Sequence, residues 1–337
     1  MKIAIDVMGT DLGPEPIVLG ALAASKKYPF TLVLVGDEVQ IQEIIKRHPG
    51  NYPTIEVYHA SEVIEMCDSP SEGLRKKKDS SVVVASRLVK EKHCAAAVCP
   101  GSTGAAVAAA LLIIGRIPGV ERAAIATPIP NVSGTTVLLD SGANVDSKPR
   151  HLLQSAMMGS LYAQLIFGIS SPRVGLLNVG EEESKGNEQT KATFPLLSSC
   201  REIRFIGNVE GRDLSNGSVD VMVCDGFIGN IALKLGEGLA SFMLQLIRDG
   251  ISNAGFLSKI GALLLKPAFK LVKKRIDPAE YGGAPLLGVD GGFIICHGSS
   301  GAYAIENAIR VAVEFVEQDV VKKIRESLER EGPNCDS

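Results

Sequence analysis

The sequence predicts an α/β protein with a mostly parallel sheet. Short apolar segments alternate with longer helical segments, and the connections between them are short. Hydrophobic residues make up 45% of the 337 residues and 35 glycines supply tight turns, as in soluble globular proteins. A chain of this length can bury a sizeable core. We expect one domain over residues 1–330, with a helical protrusion at about 240–280 and a disordered tail at 331–337.

The individual elements follow from periodicity and turn residues. Apolar runs predict strands at 2–7, 30–36, 54–59, 95–98, 123–128, 135–140, 174–179, 205–209, 219–224 and 292–296. Helical spacing predicts helices at 17–27, 38–47, 80–92, 106–114, 150–168, 249–274 and 303–330, with another beginning near Ile231. Pro16 suits the start of the first helix because proline is favoured at the first helical positions.

Composition excludes several classes of protein. The net charge of −3 argues against a general nucleic-acid binder, which needs a basic surface. The seven cysteines are scattered without any C-x-x-C, as is typical of reduced thiols in the cytoplasm and not of disulfides or zinc. Asp6 interrupts the N-terminal apolar run, so no secretory signal is predicted. Pro100 and glycines within the uncharged stretch 95–115 favour a buried strand, turn and helix over a membrane span.

The chain is organised around a glycine loop at residues 99–105, Cys-Pro-Gly-Ser-Thr-Gly-Ala. A strand enters this loop and a helix leaves it, so the first helical N–H groups point into the loop without intrahelical partners. The helix dipole favours a phosphate or a developing oxyanion there. Gly101 and Gly104 allow close backbone approach, and Ser102 and Thr103 offer hydroxyl groups. The alternative is an ordinary helix N-cap.

Similar loops follow other predicted strands, each with glycine, asparagine and a charged residue. Because ligands bind at the carboxyl ends of strands in open α/β sheets, we expect the loops to converge on one crevice. For any single loop, the alternative is that these residues only turn the chain. The candidates are Asp6, Gly9, Asp11, Asn144, Asp146, Asn178, Lys185, Gly186, Asn187, Asn208, Asp225, Gly226, Gly229, Asn230, His297, Gly298 and Ser299.

Two basic segments point to partners. The run Arg75, Lys76, Lys77 and Lys78 is either a solvated face or a docking patch for an acidic partner or a phosphorylated ligand. In residues 249–274, apolar residues at helical spacing are interleaved with lysines, and a proline is expected to break or kink the helix. Such a face is typical of a helix on an anionic membrane, and a helix pair buried against a partner subunit is the alternative. The residues assigned to membrane contact are Phe256, Leu257, Ile260, Leu263 and Leu264.

The residues alone indicate an enzyme that handles anions, with its reaction left open. Lys148 and Lys185 are the cations placed in the loops, and no P-loop, H-x-x-E-H or G-x-S-x-G motif occurs. Cys99 is a candidate nucleophile, but a thiol at a strand end more often packs in the core. His297 suits phosphate binding, acid catalysis or a structural hydrogen bond equally well. Five aspartates could assemble a metal site, although their spacing matches no known ligand motif: Asp6, Asp11, Asp140, Asp146 and Asp225.

Ten short segments carry a family resemblance. They lie at 6–14, 75–81, 101–105, 139–146, 175–181, 185–187, 205–210, 225–230, 281–284 and 297–300, and include Gly-Ser-Thr-Gly-Ala, Asp-Ser-Gly-Ala-Asn-Val-Asp and Asp-Gly-Phe-Ile-Gly-Asn. In this order they resemble the bacterial phosphate acyltransferases of phospholipid synthesis, from the first strand nearly to the C-terminus. Each motif alone is weak, and the ordered set is specific. Thr10 departs from a usual Met-Gly-Gly and Ser102 from a usual Gly-Asn-Thr-Gly, which affects fine positioning more than activity.

The resemblance implies transfer of a long-chain acyl group from acyl carrier protein to inorganic phosphate. The acyl phosphate would feed a membrane glycerol-3-phosphate acyltransferase. A homodimer is implied, with a Rossmann-like three-layer α/β/α sandwich related to phosphotransacetylases and isopropylmalate dehydrogenases. It would be cytoplasmic and peripherally associated with the inner face of the cell membrane.

The resemblance also suggests roles for the candidate residues. Lys185 and Asn230 would form the catalytic electrostatic pair, and the N–H groups of 101–104 would hold phosphate or the oxyanion. The basic run would dock the carrier protein, and the other loop residues would bind substrate. Phosphate is a dianionic nucleophile near neutral pH and a thiolate leaves readily, so no strong base or metal is required.

Other interpretations remain open. One is a phosphotransacetylase-like enzyme that uses acyl-coenzyme A as the donor. Another is a non-catalytic scaffold that binds carrier protein at a membrane surface, although the density of polar loops argues against it. A metal-dependent decarboxylating dehydrogenase is disfavoured because no nucleotide fingerprint follows the first strand.

Overall fold

The structure, a computed structural model, describes residues 1–65 and 67–331. Within these ranges the strands are β1 (Lys2–Asp6), β2 (Thr31–Gly36), β3 (Ile55–His59), β4 (Ala96–Cys99), β5 (Ala124–Ile125), β6 (Thr127–Pro130), β7 (Thr135–Leu139), β8 (Arg173–Leu177), β9 (Arg204–Val209), β10 (Val221–Val223), β11 (Ala284–Leu287) and β12 (Gly292–Ile295).

The helices alternate with these strands, and a π-helical segment, Ala110–Ile114, continues one of them without a break. The α-helices are α1 (Pro14–Ser25), α2 (Glu38–Arg47), α3 (Pro70–Lys76), α4 (Ser81–Lys90), α5 (Thr103–Ala109), α6 (Pro149–Phe167), α7 (Glu188–Ser199), α8 (Asp213–Asn216), α9 (Gly226–Asn253), α10 (Phe256–Ile276), α11 (Pro278–Tyr281), α12 (Ala302–Glu317) and α13 (Val320–Glu331). The π-helical segment follows α5.

The first sheet has the strand order β3–β2–β1–β4–β12–β11–β5. The strands from β3 to β12 are parallel, and β11 is antiparallel to both of its neighbours. In β1, Ile3 and Ile5 join the core formed with α1, α2 and α12, whereas Ala4 joins the core formed with α4 and α5. Because side chains alternate along a strand, both faces of the sheet are buried and three layers result.

The second sheet has the strand order β6–β7–β10–β8–β9, with β6 antiparallel to β7 and the other pairs parallel. One face packs on α6, α7 and α13, where Tyr162 is fully buried. The opposite face is thinly covered, and the helix residues that pack on it include Leu214 of α8 and Leu233 of α9. Only Ala126 separates β5 of the first sheet from β6 of the second, so the sheets meet at this point.

Helices α9 and α10 form a hairpin that leaves most of its apolar side chains exposed. Among the described helices, α9 alone is long and apolar enough to cross a membrane by length and composition, a test that core helices of soluble proteins also pass. The returning end of the hairpin is anchored, because the Arg275 guanidinium donates to the carbonyl oxygens of Asn131 at 2.7 Å and Val132 at 3.1 Å.

The predicted α/β class and mostly parallel strands are confirmed, although the strands divide between two sheets. Five elements were absent from the sequence-based prediction: α3, α7, α8, α11 and β11. The helix predicted at 249–274 belongs to two helices, and α10 continues through Pro267 instead of ending there. The last predicted helix is interrupted at Asp319, whose φ of 51° is left-handed. Residue Glu331, which was expected to begin a disordered tail, is the last residue of α13. Residues 332–337 lie outside the described part of the chain. The single domain remains a prediction.

Candidate active site

A cavity of about 480 Å³ lies where the two sheets meet. One wall is α5 with the π-helical segment, which follow β4; the other is the loop after β7 and the start of α9, which follows β10. The carboxyl ends of strands from both sheets therefore face it, the usual ligand position in α/β folds. Its volume is within the range of roughly 300–1,000 Å³ found for small-molecule sites. The lining residues are Thr103, Gly104, Val107, Ala108, Leu111, Ser141, Gly142, Ala143 and Asn230.

The glycine loop turns β4 into α5 at one end of this cavity. Ser102 is the N-cap residue, and no described side chain caps the helix, so its first N–H groups stay open. Thr103 and Gly104 are exposed and line the cavity. A Cβ atom on Gly104 would lie 2.9 Å from Cγ of Pro70, so glycine lets α3 pack closely here. The loop presents backbone donors and the positive end of a helix to the cavity.

The loop at 6–14 lies against the glycine loop. A Cβ atom on Gly101 would lie 3.5 Å from the carbonyl oxygen of Gly9. The Asp6 carboxylate is 2% exposed; it accepts a hydrogen bond from the N–H of Met8 at 3.2 Å and another from the Ser81 hydroxyl. Burial raises the pKa of Asp6 to about 7, and these two bonds oppose the shift. Asp6, Gly101 and Ser102 line a small cavity of about 10 Å³, so the buried carboxylate lies next to the glycine loop.

Asp140 organises the loop at 140–146. Its carboxylate accepts hydrogen bonds from the N–H groups of Ile125 at 3.0 Å, Ala143 at 2.9 Å and Asn144 at 2.8 Å. Burial raises the pKa of Asp140, and these bonds oppose the shift. The Asn144 side-chain amide also donates to this carboxylate at 2.8 Å, so it holds the loop together. Asp146 is exposed and takes a left-handed φ of 59°.

The first turn of α9 packs tightly on that loop. Asp225 caps the helix, with its carboxylate accepting hydrogen bonds from two backbone N–H groups at 2.7 and 2.9 Å. A Cβ atom on Gly229 would lie 1.9 Å from a carbonyl oxygen of the loop, and one on Gly226 would lie 2.3 Å from another. These three residues thus join the helix to the loop, and they place the exposed Asn230 in the cavity wall.

Lys185 lies in an exposed loop that follows β8. The Asn178 side-chain amide donates to the carbonyl of Lys185 at 3.2 Å. Gly186 has a φ of 102°, and a Cβ atom there would lie 2.1 Å from the hydroxyl oxygen of Thr190. Asn187 caps α7 by accepting from the N–H of Thr190 at 2.9 Å. Asn178, Gly186 and Asn187 shape the loop, while Lys185 lines neither of the two cavities described above.

The remaining candidates lie in β9 and in the loop that follows β12. Asn208 is buried; its amide donates to a carbonyl of the Lys185 loop at 2.9 Å, and its Oδ1 has no hydrogen-bond partner in the described structure. His297 is exposed, with Nδ1 2.8 Å from the hydroxyl of Ser299. Gly298 accepts a hydrogen bond from the N–H of Asp11 at 3.0 Å, which joins two of the predicted loops.

The buried cysteines beside the site are unsuited to nucleophilic attack. Cys99 is fully buried, and burial raises its thiol pKa well above the ordinary value. Burial also raises the pKa of Cys224, and that of Cys296 to about 12. A thiolate is the reactive form, so these side chains pack in the core and do not attack substrate.

The basic run lies beside the glycine loop, in and just after α3. Lys77 forms an ion pair with Asp68 at 2.6 Å, and Lys76 forms one within α3 at 3.1 Å. Arg75 and Lys78 are exposed. The residues assigned to membrane contact lie in α10; Phe256, Ile260, Leu263 and Leu264 are exposed, and the side chain of Leu257 is outside the described part.

The structure brings together part of the predicted site. Thr103, Gly104 and Asn230 share the cavity, whereas Lys185 and His297 lie in other loops. Sequence reasoning missed the apolar wall of Val107, Ala108 and Leu111 and the opposite residues 141–143. The sequence could have indicated this wall, because residues 104, 107, 108 and 111 have the spacing of residues that share one face of a helix. In the described residues, no group of three or more His, Cys, Asp or Glu side chains is arranged to hold a metal ion.

The arrangement suits an anionic group at one end of an apolar substrate, because the cavity combines amide and backbone donors with an aliphatic wall.

Comparison with known sequences shows which family of proteins this chain resembles. Residues 1–323 match the sequence model of a family described as "Fatty acid synthesis protein". The chain is 55% identical over 330 residues to the phosphate acyltransferase of Pelotomaculum thermopropionicum, covering 98% of this chain and 95% of the relative. The chain belongs to the phosphate acyltransferase family.

Other relatives agree with this membership. The phosphate acyltransferase of Desulfitobacterium hafniense strain DCB-2 is 52% identical over 332 residues, which is 98% of each chain. The phosphate acyltransferase family is a family of enzymes, so this chain is an acyltransferase. A phosphotransacetylase from Streptococcus pyogenes has a similar structure, with a TM-score of 0.65, 17% identity and 94% of each chain covered. This likeness concerns the fold alone, and it confirms the predicted phosphotransacetylase-like fold.

Proposed function

We propose that this enzyme transfers a long-chain acyl group from acyl carrier protein to inorganic phosphate. The acyl phosphate would then be consumed by a membrane glycerol-3-phosphate acyltransferase. The observation that carries the proposal is the cavity between the sheets, where Asn230 and the open N-terminus of α5 border an aliphatic wall. An acyl thioester and a phosphate need these two environments side by side. The proposal requires neither a metal nor a cofactor.

In the proposed reaction a phosphate oxygen attacks the thioester carbonyl carbon. A carbon–oxygen bond forms, the carbon–sulfur bond breaks, and the carrier thiolate leaves with the electron pair. The N–H groups at the start of α5 hold the phosphate or the oxyanion, and the Asn230 amide donates to the same charge. Lys185, which is exposed, supplies the cation. Asp6, Asn208, His297 and the 140–146 loop support these groups.

The carrier protein would dock on α3. This helix touches the glycine loop, since Pro70 packs against Gly104, and it ends in the basic run. Arg75 and Lys78 are the exposed cations there, so an acidic carrier would bring its thioester to the cavity mouth. We expect the charge reversal Lys78→Glu to raise KM for the acyl carrier protein severalfold with kcat nearly unchanged. An unchanged KM, measured by steady-state kinetics, would remove Lys78 from the docking surface.

The hairpin of α9 and α10 is assigned to two contacts. The first contact is with a second copy of the chain. This copy would pack against α9 and the thinly covered face of the second sheet to give the homodimer. The other is the inner face of the cell membrane, contacted by the lysine-edged apolar face of α10. The enzyme would thus be a peripheral protein of the cytoplasm. This location suits a product that a membrane enzyme consumes.

The test uses the purified enzyme with radiolabelled phosphate, and either palmitoyl-acyl carrier protein or palmitoyl-coenzyme A as donor. We expect label in acyl phosphate from the carrier-protein donor, in the presence of chelator. Label from coenzyme A alone would support a phosphotransacetylase-like activity instead. If neither donor gave a labelled product, the result would favour the alternative function of a non-catalytic scaffold that binds carrier protein.

A further inference from the structure

We propose that the face of α5 and the π-helical segment formed by Val107, Ala108 and Leu111 is the acyl-chain tract, and that Leu111 sets the chain-length limit. This inference rests on the proposed function, because it names the part of the site that receives the acyl chain. The occupant is the aliphatic chain of the donor.

The shape of the cavity supports this assignment. Its donors come from Thr103 and Gly104 at the start of α5 and from Asn230 on the opposite wall. Along α5, the cavity wall continues through Val107 and Ala108 to Leu111, about two helical turns from Gly104. A thioester carbonyl held at the donors therefore directs its alkyl chain toward Leu111. The opposite loop contributes Ser141, Gly142 and Ala143 to the cavity, and the Ser141 hydroxyl is already hydrogen-bonded to the Thr127 hydroxyl and to the carbonyl of Ile125.

The backbone around Leu111 is the second observation. Residues 110–114 form a π-helix, and π-helical turns occur frequently at functional sites. The N–H of Gly115 donates to the carbonyl of Ala110 at 3.0 Å, and the Lys90 ammonium donates to the carbonyl of Ile114 at 2.8 Å. These bonds fix the end of the segment. They hold Leu111 in the cavity wall while the neighbouring Leu112 is 74% exposed to solvent.

Because the proposed tract runs from the donors to Leu111, the side chain at this position limits how far an acyl chain extends along the helix. Overfilling the Leu111 end of the tract would block long chains first and leave short chains room to bind.

The experiment measures kcat/KM with octanoyl-, dodecanoyl- and palmitoyl-acyl carrier protein for wild type, Leu111→Trp and Leu111→Ala. Leu112→Trp is the matched control, since it places the same bulk on the exposed neighbour. We expect Leu111→Trp to lower the palmitoyl-to-octanoyl ratio about tenfold or more, and Leu111→Ala to leave it unchanged or raise it. Leu112→Trp should keep the wild-type ratio.

The outcomes separate the two proposals. A wild-type enzyme that forms no acyl phosphate from any donor overturns the proposed function and, with it, the tract. An active wild type whose ratio is the same in Leu111→Trp and Leu112→Trp overturns the tract alone. If Leu111→Trp does not fold, the comparison of Leu111→Ala with wild type, using stearoyl-acyl carrier protein as a longer donor, decides. If Leu111→Ala then prefers palmitoyl over stearoyl to the same extent as wild type does, the tract is overturned.

Discussion

Asp6 and Asp140 are buried carboxylates that hold the loops beside the cavity in place. Each accepts backbone N–H groups of its own loop, and burial raises the pKa of both. Asn230 is exposed in the cavity wall and is neutral, and Lys185 is an exposed cation in another loop. The two carboxylates are thus enclosed in the protein, and the residues that line the cavity in the described structure carry no negative charge.

Replacing Asp6 by asparagine should make stability depend less on pH. With a folded-state pKa of about 7 against an ordinary value of 3.8, wild type loses stability as pH rises between these values, because only the unfolded state ionises freely. The stability advantage of Asp6→Asn should grow up to about pH 7 and then level off, at about 4 kcal/mol or less. Urea unfolding at a series of pH values measures it. The exposed Asp11→Asn serves as control, and a constant advantage across pH would contradict the burial argument.

Gly229 is required by close packing, since an added Cβ atom would lie 1.9 Å from the carbonyl oxygen of Asp140. We expect Gly229→Ala to lower the free energy of unfolding by about 1–3 kcal/mol. Gly236→Ala is the matched control in the same helix. No described atom lies within 4 Å of its added Cβ, and alanine favours the helix there by roughly 0.5–1 kcal/mol. Denaturant unfolding with both variants equally stable would contradict the packing argument.

Helix α5, its π-helical continuation and helix α9 are the elements that shape the site. The sequence predicted the strand–loop–helix at 99–114 because an apolar run, two glycines and helical spacing agree there. It did not predict that one face of this helix lines a cavity, since alanine and leucine on a helix face are just as compatible with burial in the core. Helix α7 was missed because it carries Pro195 and few buried apolar residues.

Several candidate side chains proved to have structural contacts that spacing alone cannot reveal. Asn187 and Asp225 are helix caps, and Asn144 binds the Asp140 carboxylate. A polar residue between a strand and a helix has the same sequence pattern whether it caps or binds a ligand. The resemblance to the phosphate acyltransferase family is confirmed, but the partner of each side chain depends on long-range packing.

The α9–α10 hairpin carries the membrane prediction. Leu263 and Leu264 are exposed in α10, so the double change Leu263→Glu and Leu264→Glu should abolish sedimentation with anionic liposomes and leave the folded core intact. Val39→Glu, which alters an exposed apolar residue on α2, should sediment as wild type does. Sedimentation velocity without liposomes tests whether the change also alters assembly. Undiminished liposome binding by the double variant would contradict the assignment of this face.

At the scale of the whole molecule, the meeting of two sheets creates the site. The first sheet contributes the glycine loop and α5, and the second contributes the 140–146 loop and the start of α9. Neither sheet alone encloses the cavity. The sequence predicted the alternating elements, but not the division into two sheets, because the short connection at Ala126 contains no turn residue.

The central claim is that donors at this junction stabilise the charge formed when an acyl group moves to phosphate. The most direct measurement is the steady-state rate of acyl phosphate formation by Asn230→Ala and by Lys185→Ala, with Asn253→Ala at the far end of α9 as control. We predict a loss of about 10²–10³ in kcat for Asn230→Ala, a clear loss for Lys185→Ala and the wild-type rate for the control. Wild-type rates in both Asn230→Ala and Lys185→Ala would contradict the account.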